Sequence, residues 1–450
     1  MISDMEPNQR MAPLFSALGA MLMVLGVLLN QWTVGFLFRP SGMYRPIAGS
    51  ANLLIIWLFQ ISLIGAGIFL IRKRRSINAQ KLREQYKKFS AVTLLLLGLF
   101  VFLNLFAYAV SIIHLSLASN QNPVSEKYGV PLEKVYPNLH PDEIRTLLAE
   151  TWHRPLVYEA YTEFKEGPYR GTYVNVDEAG FRLIKDQAVW PPDPKNTNIF
   201  VLGGSTIFGY GVEDDHTIAS YLQEFLRTAL PEKHIAVYNF GRGFYYSSQE
   251  RILFERLLAG GFVPDVAIFI DGINDTSTVA DEPIISAQIS AFFEKENLSK
   301  MFSGLPLVSF FNSLGAENQA SDLPPDEATR KKETEKVIER YVANKRLVEA
   351  AAREFGIRPV FVWQPSSSYK YDMKYHPFGS ESLKNIRTAW EYPLFAEYVA
   401  KYLLGSNFLY LADIQETQKK PLYIDGIHYS GEFSRDIAGL ISDFVVRDLR

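Results

Sequence analysis

Long apolar stretches dominate the first quarter of the chain. Three segments within the first 122 residues contain no charged side chain, and each is long enough to form a transmembrane helix. A helix crosses a hydrocarbon core of about 30 Å with roughly 20 residues. Buried helices of a soluble protein normally show a polar face, which these segments lack. We therefore predict a membrane region at residues 1–121 with three transmembrane helices, at about residues 12–38, 51–71 and 90–118.

Basic side chains cluster between the second and third predicted helices. Residues 72–88 hold eight lysines and arginines against one acidic residue, Glu84. Positively charged loops remain on the cytoplasmic side of a membrane, so we predict that loop 72–88 is cytoplasmic. The chain after the third helix is then extracytoplasmic. This pattern predicts a multi-pass protein in the membrane lipid bilayer, of a kind found in the bacterial inner membrane.

The later part of the chain alternates short apolar runs with helical patterns. Five runs are predicted to be buried strands, at residues 198–203, 234–241, 265–272, 358–364 and 407–413. The predicted helices lie near residues 217–230, 247–260, 325–355 and 431–448. Fully apolar strands that alternate with helices indicate a parallel sheet covered on both faces. Active sites of such sheets lie beyond the carboxyl ends of the strands.

Three other segments do not follow this alternation. Residues 122–197 are rich in proline and mixed in pattern, so we predict a stalk and accessory lead-in there. The sheet domain then covers residues 198–450, with insertions at about residues 280–325 and 365–384. Both insertions follow carboxyl ends of predicted strands, so they are candidates for lining a substrate cleft or for peripheral additions.

Composition and charge narrow the function classes. Of 450 residues, 48% are hydrophobic and 14% aromatic, which excludes a wholly disordered chain. The absence of cysteine excludes disulfides, thiolate metal sites and a cysteine nucleophile. The net charge of -3 combines +8 in the first 120 residues with -11 in the rest, so no overall basic excess points to nucleic acid.

Candidate chemistry sits at the ends of the predicted strands. The first strand ends in Gly203-Gly204-Ser205-Thr206, where a serine in a tight turn before a helix can present its hydroxyl to a cleft. The spacing of a Walker loop and of a dinucleotide-binding loop is absent. The third strand ends in Asp271-Gly272-Ile273-Asn274-Asp275, and an Asn amide there can donate to an oxyanion. Ordinary turn chemistry explains such residues equally well.

Two further motifs complete the set. The second strand ends in Asn239-Phe240-Gly241-Arg242-Gly243, whose backbone N–H groups could donate to an oxyanion. Asp425-Gly426-Ile427-His428 precedes the last helix, and a carboxylate that orients a histidine is the usual base for a serine nucleophile. Asp413, at the end of the fifth strand, is an alternative orienting residue. No close His pair or carboxylate cluster in the sequence supports a metal.

The four motifs, in this order, resemble those of the SGNH (GDSL-like) hydrolase superfamily over about residues 198–450. The resemblance implies a flavodoxin-like three-layer α/β/α sandwich with five parallel strands in the order 2-1-3-4-5. It also implies that Ser205 is the nucleophile, His428 the base and Asp425 its orienting partner. The implied oxyanion hole combines the N–H groups of Ser205 and Gly243 with the Asn274 side chain.

The chain departs from the family pattern at two positions. Gly204 replaces the usual aspartate, which is not catalytic in the family. Phe244 stands where the second motif normally places its glycine. The Gly243 N–H can therefore act as the oxyanion donor only if the loop is shifted by one residue; otherwise the Phe244 N–H is the donor.

The resemblance and the predicted location together imply a membrane-anchored serine esterase that acts outside the cytoplasm. Its substrate would be an O-acylated glycan, for example an O-acetylated one, or a lipid ester, and no cofactor or metal is implied. One alternative is an O-acyltransferase that modifies an exported polysaccharide, with a membrane acyltransferase or polysaccharide-export partner supplying acyl groups. A second alternative is a catalytically inert glycan-binding or assembly module.

Overall fold

The computed structural model of the protein describes residues 11–30, 33, 50–118, 132–283, 286, 307–308, 325–379 and 386–449. The chain divides into two compact units. One comprises Met1–Leu115 with Gln288–Ala320, and the other comprises Ser116–Ala287 with Ser321–Arg450.

Three apolar helices form the described part of the first unit: α1 (Ala12–Leu28), α2 (Ser50–Lys73) and α3 (Ala79–Ala118). Helices α1 and α2 approach closely at two glycines. A Cβ on Gly67 would lie 2.5 Å from the Gly19 carbonyl oxygen, and one on Gly19 would lie 2.7 Å from the Gly67 oxygen. Small residues permit such contact between apolar helices, where packing rather than water exclusion drives association.

Two of the three predicted transmembrane helices are confirmed as long and apolar enough to span a membrane. Within the described residues, these segments are Ile56–Lys73 and Glu84–Val110. Helix α1 has 17 residues, which at 1.5 Å per residue reach about 26 Å, short of a full crossing. Within the described residues, the prediction of a span at residues 12–38 is therefore not met; residues 31, 32 and 34–38 lie outside the described part of the chain.

The predicted basic loop is also shorter than expected. The turn between α2 and α3 ends at Asn78, whose side-chain oxygen accepts hydrogen bonds from the N–H groups of Gln80 and Lys81 at 3.0 and 3.1 Å. An Asn that caps free N–H groups in this way starts a helix. The second half of the predicted loop 72–88 is consequently the first part of α3.

A five-stranded parallel sheet forms the centre of the second unit. Its strands are β5 (Thr197–Gly203), β6 (Ile235–Gly241), β7 (Val266–Asp271), β8 (Arg358–Trp363) and β9 (Phe408–Tyr410). They lie in the order β6-β5-β7-β8-β9, which confirms the predicted order 2-1-3-4-5.

Helices cover both faces of the sheet, as fully apolar strands require. Along β5, Ile199 and Val201 belong to one buried core, whereas Phe200 and Leu202 belong to another. The described helices of this unit are α4 (Pro141–Trp152), α5 (Ser205–Phe208), α6 (Ile218–Ala229), α7 (Ser247–Ala259), α8 (Ile273–Ser277), α9 (Glu327–Glu354), α10 (Thr388–Lys401) and α11 (Gly431–Leu449). The sequence pattern did not predict α10, which contains Pro393 near its middle.

The predicted stalk is largely folded onto the sheet domain. Over its described residues it contains α4, the antiparallel hairpin β1 (Leu156–Glu159) and β2 (Glu163–Glu166), and the short pair β3 (Tyr169–Arg170) and β4 (Asn175–Val176). The buried side chains Leu147 and Leu148 of α4 share a cluster with Phe208 and Ile424. An amphipathic helix has to bury its apolar face, so this segment is part of the domain.

The insertions are described only in part. The second insertion is described to residue 379 and contributes the buried side chains of Ser366, Ser367 and His376. Of the first insertion, most residues lie outside the described part of the chain, and a role in lining a cleft stays a prediction for it.

Gly241 provides a test of the packing that brings β6 against the serine turn. A Cβ at this position would lie 2.2 Å from the Phe208 nitrogen and 2.6 Å from the Ile207 carbonyl carbon, both of them backbone atoms. We expect Gly241→Ala to lower stability by about 3 kcal/mol, because backbone cannot move aside cheaply. Thermal unfolding of the full chain in detergent measures the change.

The matched control is Gly439→Ala in α11. A Cβ there meets only Phe225, at 3.7 Å. Because alanine favours a helix over glycine by about 1 kcal/mol, this variant should be unchanged or slightly more stable. Equal unfolding temperatures for the two variants would contradict the close approach at Gly241.

Candidate active site

Ser205 lies at the carboxyl end of β5, where the chain turns into the short helix α5. Gly204 precedes this helix as its N-cap residue. A Cβ on Gly204 would lie 2.3 Å from the Asn274 side-chain nitrogen and 3.1 Å from the Tyr245 carbonyl oxygen. The absence of a side chain at Gly204 therefore lets the ends of three neighbouring strands meet beside the serine.

A continuous hydrogen-bonded chain links Ser205, His428 and Asp425. His428 Nε2 lies 2.8 Å from Ser205 Oγ, and His428 Nδ1 lies 2.7 Å from Asp425 Oδ2. An ionised carboxylate only accepts hydrogen bonds, so Nδ1 carries the proton and Nε2 accepts from the serine hydroxyl. The three side chains predicted from sequence are thus brought together, although 223 positions separate Ser205 from His428.

Asp425 is held in its ionised form by the loop around it. Its Oδ1 accepts hydrogen bonds from the N–H groups of Ile427 and His428, each at 2.8 Å. Burial alone would raise the pKa of this carboxyl, but its electrostatic interaction with His428 and the hydrogen bonds from the His428 side chain and the loop N–H groups lower it to about 2. The carboxylate can therefore orient the imidazole and stabilise an imidazolium at neutral pH.

Two aromatic rings that sequence reasoning missed surround the imidazole. Tyr210 stacks on His428 with ring centroids 5.3 Å apart and an interplanar angle of 18°. Trp152 contacts the imidazole edge-on, at 5.7 Å and 84°. Tyr210 lies five residues after Ser205, whereas Trp152 comes from the lead-in helix α4 and carried no motif. Such packing restricts rotation of the imidazole.

The Asn274 side chain lies beside the serine turn, whereas the Gly243 N–H is bonded to a carboxylate. The Asn274 amide donates one hydrogen bond to the Tyr245 carbonyl oxygen at 2.7 Å. The Gly243 N–H donates to Glu166 Oε1 at 3.2 Å. Because one N–H cannot point at both a buried carboxylate and an oxyanion, the geometry does not favour the predicted oxyanion role of Gly243.

Backbone hydrogen bonds fix the loop that contains Gly243 before and after this glycine. The Arg242 N–H donates to the Gly203 carbonyl oxygen at 2.9 Å, and the Tyr245 N–H donates to the Arg242 carbonyl oxygen at 3.3 Å. Phe244 has φ of 63°, a left-handed conformation that suits glycine better. Its side chain is 53% exposed. The N–H groups of Phe244 and Tyr246 are the two amides of this loop that, within the described residues, donate no hydrogen bond to the protein.

Asp413, the alternative orienting residue, does not take part in the hydrogen-bonded chain Ser205–His428–Asp425. Its carboxylate lies 3.9 Å from the Lys370 ammonium, and its side chain is 43% exposed. Asp425, three residues from His428, is the carboxylate that contacts the imidazole.

Three buried carboxyl groups lie behind the Asn274 turn: Glu250, Asp271 and Asp275. Burial and mutual repulsion raise the pKa of Glu250 and of Asp271 well above their ordinary values. Asp275 accepts a hydrogen bond from the Ser247 hydroxyl at 2.6 Å, which ties α8 to α7. Within the described residues, no group of three or more His, Asp or Glu side chains is placed to hold a metal ion.

The second insertion supports the loop that carries Asp425. His376 Nε2 lies 3.1 Å from the Asp425 carbonyl oxygen, and the Phe378 N–H donates to His376 Nδ1 at 3.2 Å. The Ser367 hydroxyl donates to the Gly426 carbonyl oxygen. His376 is therefore a buried structural residue with its proton on Nε2, beneath the main chain of Asp425.

Comparisons with known proteins give matches among solved structures alone. No family model matches the chain, and a search of curated proteins finds no similar one. A protein assigned to the G-D-S-L lipolytic family from Desulfitobacterium hafniense is 14% identical over 56% of this chain and 99% of its own, with a TM-score of 0.30. Axe2, an acetylxylan esterase from Geobacillus stearothermophilus, is 14% identical over 55% of this chain and 94% of its own, with a TM-score of 0.31. A two-domain esterase active on acetylated mannans is 12% identical over 56% of this chain and 49% of its own, with a TM-score of 0.31.

His376 makes stability depend on pH in a defined direction. Burial lowers the pKa of His376 from 6.5 to about 4, although its hydrogen bond to Asp425 acts the other way. Between these values the unfolded chain binds a proton that the folded chain does not, so stability is complete above pH 6.5 and falls toward pH 4. The loss amounts to about 3 kcal/mol. We expect His376→Gln, which can still donate but does not titrate, to show a weaker fall in unfolding temperature between pH 7 and pH 5.

The control is His140→Gln, because the side chain of His140 is 74% exposed. This variant should follow the wild-type pH dependence. Parallel curves for wild type and His376→Gln would contradict a buried neutral imidazole.

Proposed function

We propose that this chain is a membrane-anchored serine esterase in which Ser205 is the nucleophile, His428 the general base and Asp425 its orienting partner. One observation carries the proposal: the hydrogen-bonded chain Ser205–His428–Asp425 is unbroken, with distances of 2.8 and 2.7 Å. The ordered sequence motifs add independent support. An inert binding module has no use for a buried carboxylate, imidazole and hydroxyl in this arrangement.

The reaction follows from the hydrogen-bond directions. Ser205 Oγ attacks the ester carbonyl while His428 Nε2 accepts the hydroxyl proton, and the Asp425 carboxylate stabilises the imidazolium. The tetrahedral intermediate then expels the alcohol, which takes that proton from Nε2. An acyl-enzyme on Ser205 remains, and water activated by His428 resolves it to a carboxylic acid and free serine.

The oxyanion that forms needs donors around the serine turn. The Ser205 N–H lies in the first turn of α5, and the Asn274 amide has a second hydrogen besides the one bound to Tyr245. We include the Phe244 N–H as the third donor, because the Gly243 N–H is engaged by Glu166. Preorganised donors of this kind stabilise developing charge without reorganisation.

The proposed substrate is an O-acylated glycan or a lipid ester outside the cytoplasm. The location rests on the candidate spans Ile56–Lys73 and Glu84–Val110 and on the basic residues between them. No cofactor or metal takes part in the proposed reaction. Transfer of the acyl group to a polysaccharide hydroxyl uses the same acyl-enzyme and differs only in the acceptor.

Covalent labelling tests the nucleophile. The full chain in detergent should react with a fluorophosphonate probe, and Ser205→Ala should remove all labelling. We expect His428→Ala to lower the labelling rate about 10³-fold, because the serine loses its base. His140→Ala, at an exposed histidine, is the control and should label as the wild type. A folded wild-type protein that stays unlabelled would refute the proposal.

Product analysis with an O-acetylated oligosaccharide and a glycan acceptor then distinguishes the two reactions. Release of acetate without acceptor-dependent product supports hydrolysis. Acetylated acceptor that requires Ser205 supports the acyltransferase alternative.

The Asn274 side chain gives a separate prediction. We expect Asn274→Ala to lower kcat about 10²- to 10³-fold with little change in KM, since its amide acts on the oxyanion rather than on the ground state. Asn198→Ala is the control, because the Asn198 amide bonds the Asp193 carbonyl oxygen at 2.8 Å near the start of β5. It should lower the unfolding temperature but not kcat; similar kcat values for both variants would exclude the oxyanion role.

A further inference from the structure

Another buried carboxylate, that of Glu166, contacts both sides of the candidate site. Glu166, at the end of β2 in the lead-in, is 1% exposed. Its Oε1 accepts a hydrogen bond from the Tyr210 hydroxyl at 3.0 Å and another from the Gly243 N–H at 3.2 Å. One oxygen atom thus joins the ring beneath the imidazole to the loop beside the serine.

The charge of Glu166 is compensated by Arg154. Arg154 Nη2 lies 3.0 Å from Glu166 Oε2, and both side chains are at most 2% exposed. Arg154 Nη1 also donates to the Glu150 and Thr151 carbonyl oxygens at the end of α4, at 2.5 and 2.8 Å. A buried ion pair is favourable only in close, hydrogen-bonded geometry, which Arg154 meets through Nη1 and Nη2. The carboxylate is therefore fixed in position by the lead-in helix.

The two contacts on Oε1 act on different groups. Through Tyr210, Glu166 holds a ring parallel to the His428 imidazole at 5.3 Å. Tyr210 stays a neutral donor, because burial and the neighbouring Glu166 raise the pKa of its hydroxyl. Through the Gly243 N–H, Glu166 holds the Arg242–Gly243 peptide, which directly precedes the peptide that carries the Phe244 N–H.

We propose that Glu166 is a positioning residue that fixes His428 and the loop of Gly243 and Phe244 relative to each other. The lead-in then contributes directly to the geometry of the active site. The inference rests on the proposed esterase function. It assigns no contact with substrate to Glu166. Loss of Glu166 should therefore lower kcat and leave KM nearly unchanged, because a misplacement of about 1 Å at the reacting groups lowers the rate about 100-fold.

The test uses Glu166→Gln, Tyr210→Phe and the double variant of the full chain in detergent. We measure kcat and KM with p-nitrophenyl acetate, the rate of fluorophosphonate labelling and the unfolding temperature. Each single variant should lose about 10- to 100-fold in kcat and in labelling rate. The double variant should lose much less than the product of the two, because both changes break the same contact. Tyr210→Phe removes only the hydroxyl and keeps the ring, so it tests the contact with Glu166 even if Glu166→Gln folds poorly.

Glu150→Gln is the matched control. Glu150 is another buried lead-in carboxylate, and it accepts N–H groups of Thr172, Tyr173 and Val174 rather than of the site loop. This variant should lower the unfolding temperature without lowering kcat. If Tyr210→Phe and Glu166→Gln keep the wild-type kcat and labelling rate, the positioning role is overturned and the esterase proposal stands. The positioning role is also overturned if Glu150→Gln lowers kcat as much as these two variants do. An unlabelled wild type instead overturns the esterase proposal, and this inference with it.

Discussion

The buried, ionised Asp425 is the constraint around which the site is built. A carboxylate removed from water is unfavourable unless hydrogen bonds replace its hydration. Here two loop N–H groups and the His428 imidazole supply them. The same contacts close the loop between Asp425 and His428 into one conformation. The same hydrogen bonds direct His428 Nε2 toward Ser205. The orientation of the proposed base therefore follows from the hydrogen bonds that stabilise the buried Asp425 carboxylate.

Parts of the chain with no catalytic motif stabilise this arrangement. The second insertion bonds the Asp425 and Gly426 carbonyl groups through His376 and Ser367. The lead-in surrounds the other side with arginines that are almost fully buried. Arg182, for example, bonds Asp214 at 2.9 Å and the carbonyl oxygens of Phe208 and Val212 at 2.9 and 2.6 Å. The Arg182 guanidinium is desolvated, so its N–H groups need acceptors, and carbonyl groups of the loop after Ser205 supply them.

The arginine at the second motif shows the same principle. Arg242 Nη1 bonds Glu159 of β1 at 2.5 Å and the Tyr245 hydroxyl at 2.9 Å. The loop that provides the proposed oxyanion donor is therefore held between the sheet and the lead-in hairpin. A left-handed Phe244 is tolerated because its neighbours on both sides are already bonded.

The apolar runs in the sequence predicted the five strands, because a buried strand depends on local spacing, whereas the strand order and the set Ser205, His428 and Asp425 were implied by the resemblance of the ordered motifs to a known family. The sequence predicted three spanning helices, where the described residues contain two candidate spans, and a basic loop that is too long, since charge counts do not show where a helix ends. The contact between Gly243 and Glu166, the packing of Tyr210 and Trp152 around the imidazole, and the inclusion of the lead-in in the domain became visible in the folded structure alone. These contacts join residues tens to hundreds of positions apart, and burial rather than local pattern selects them.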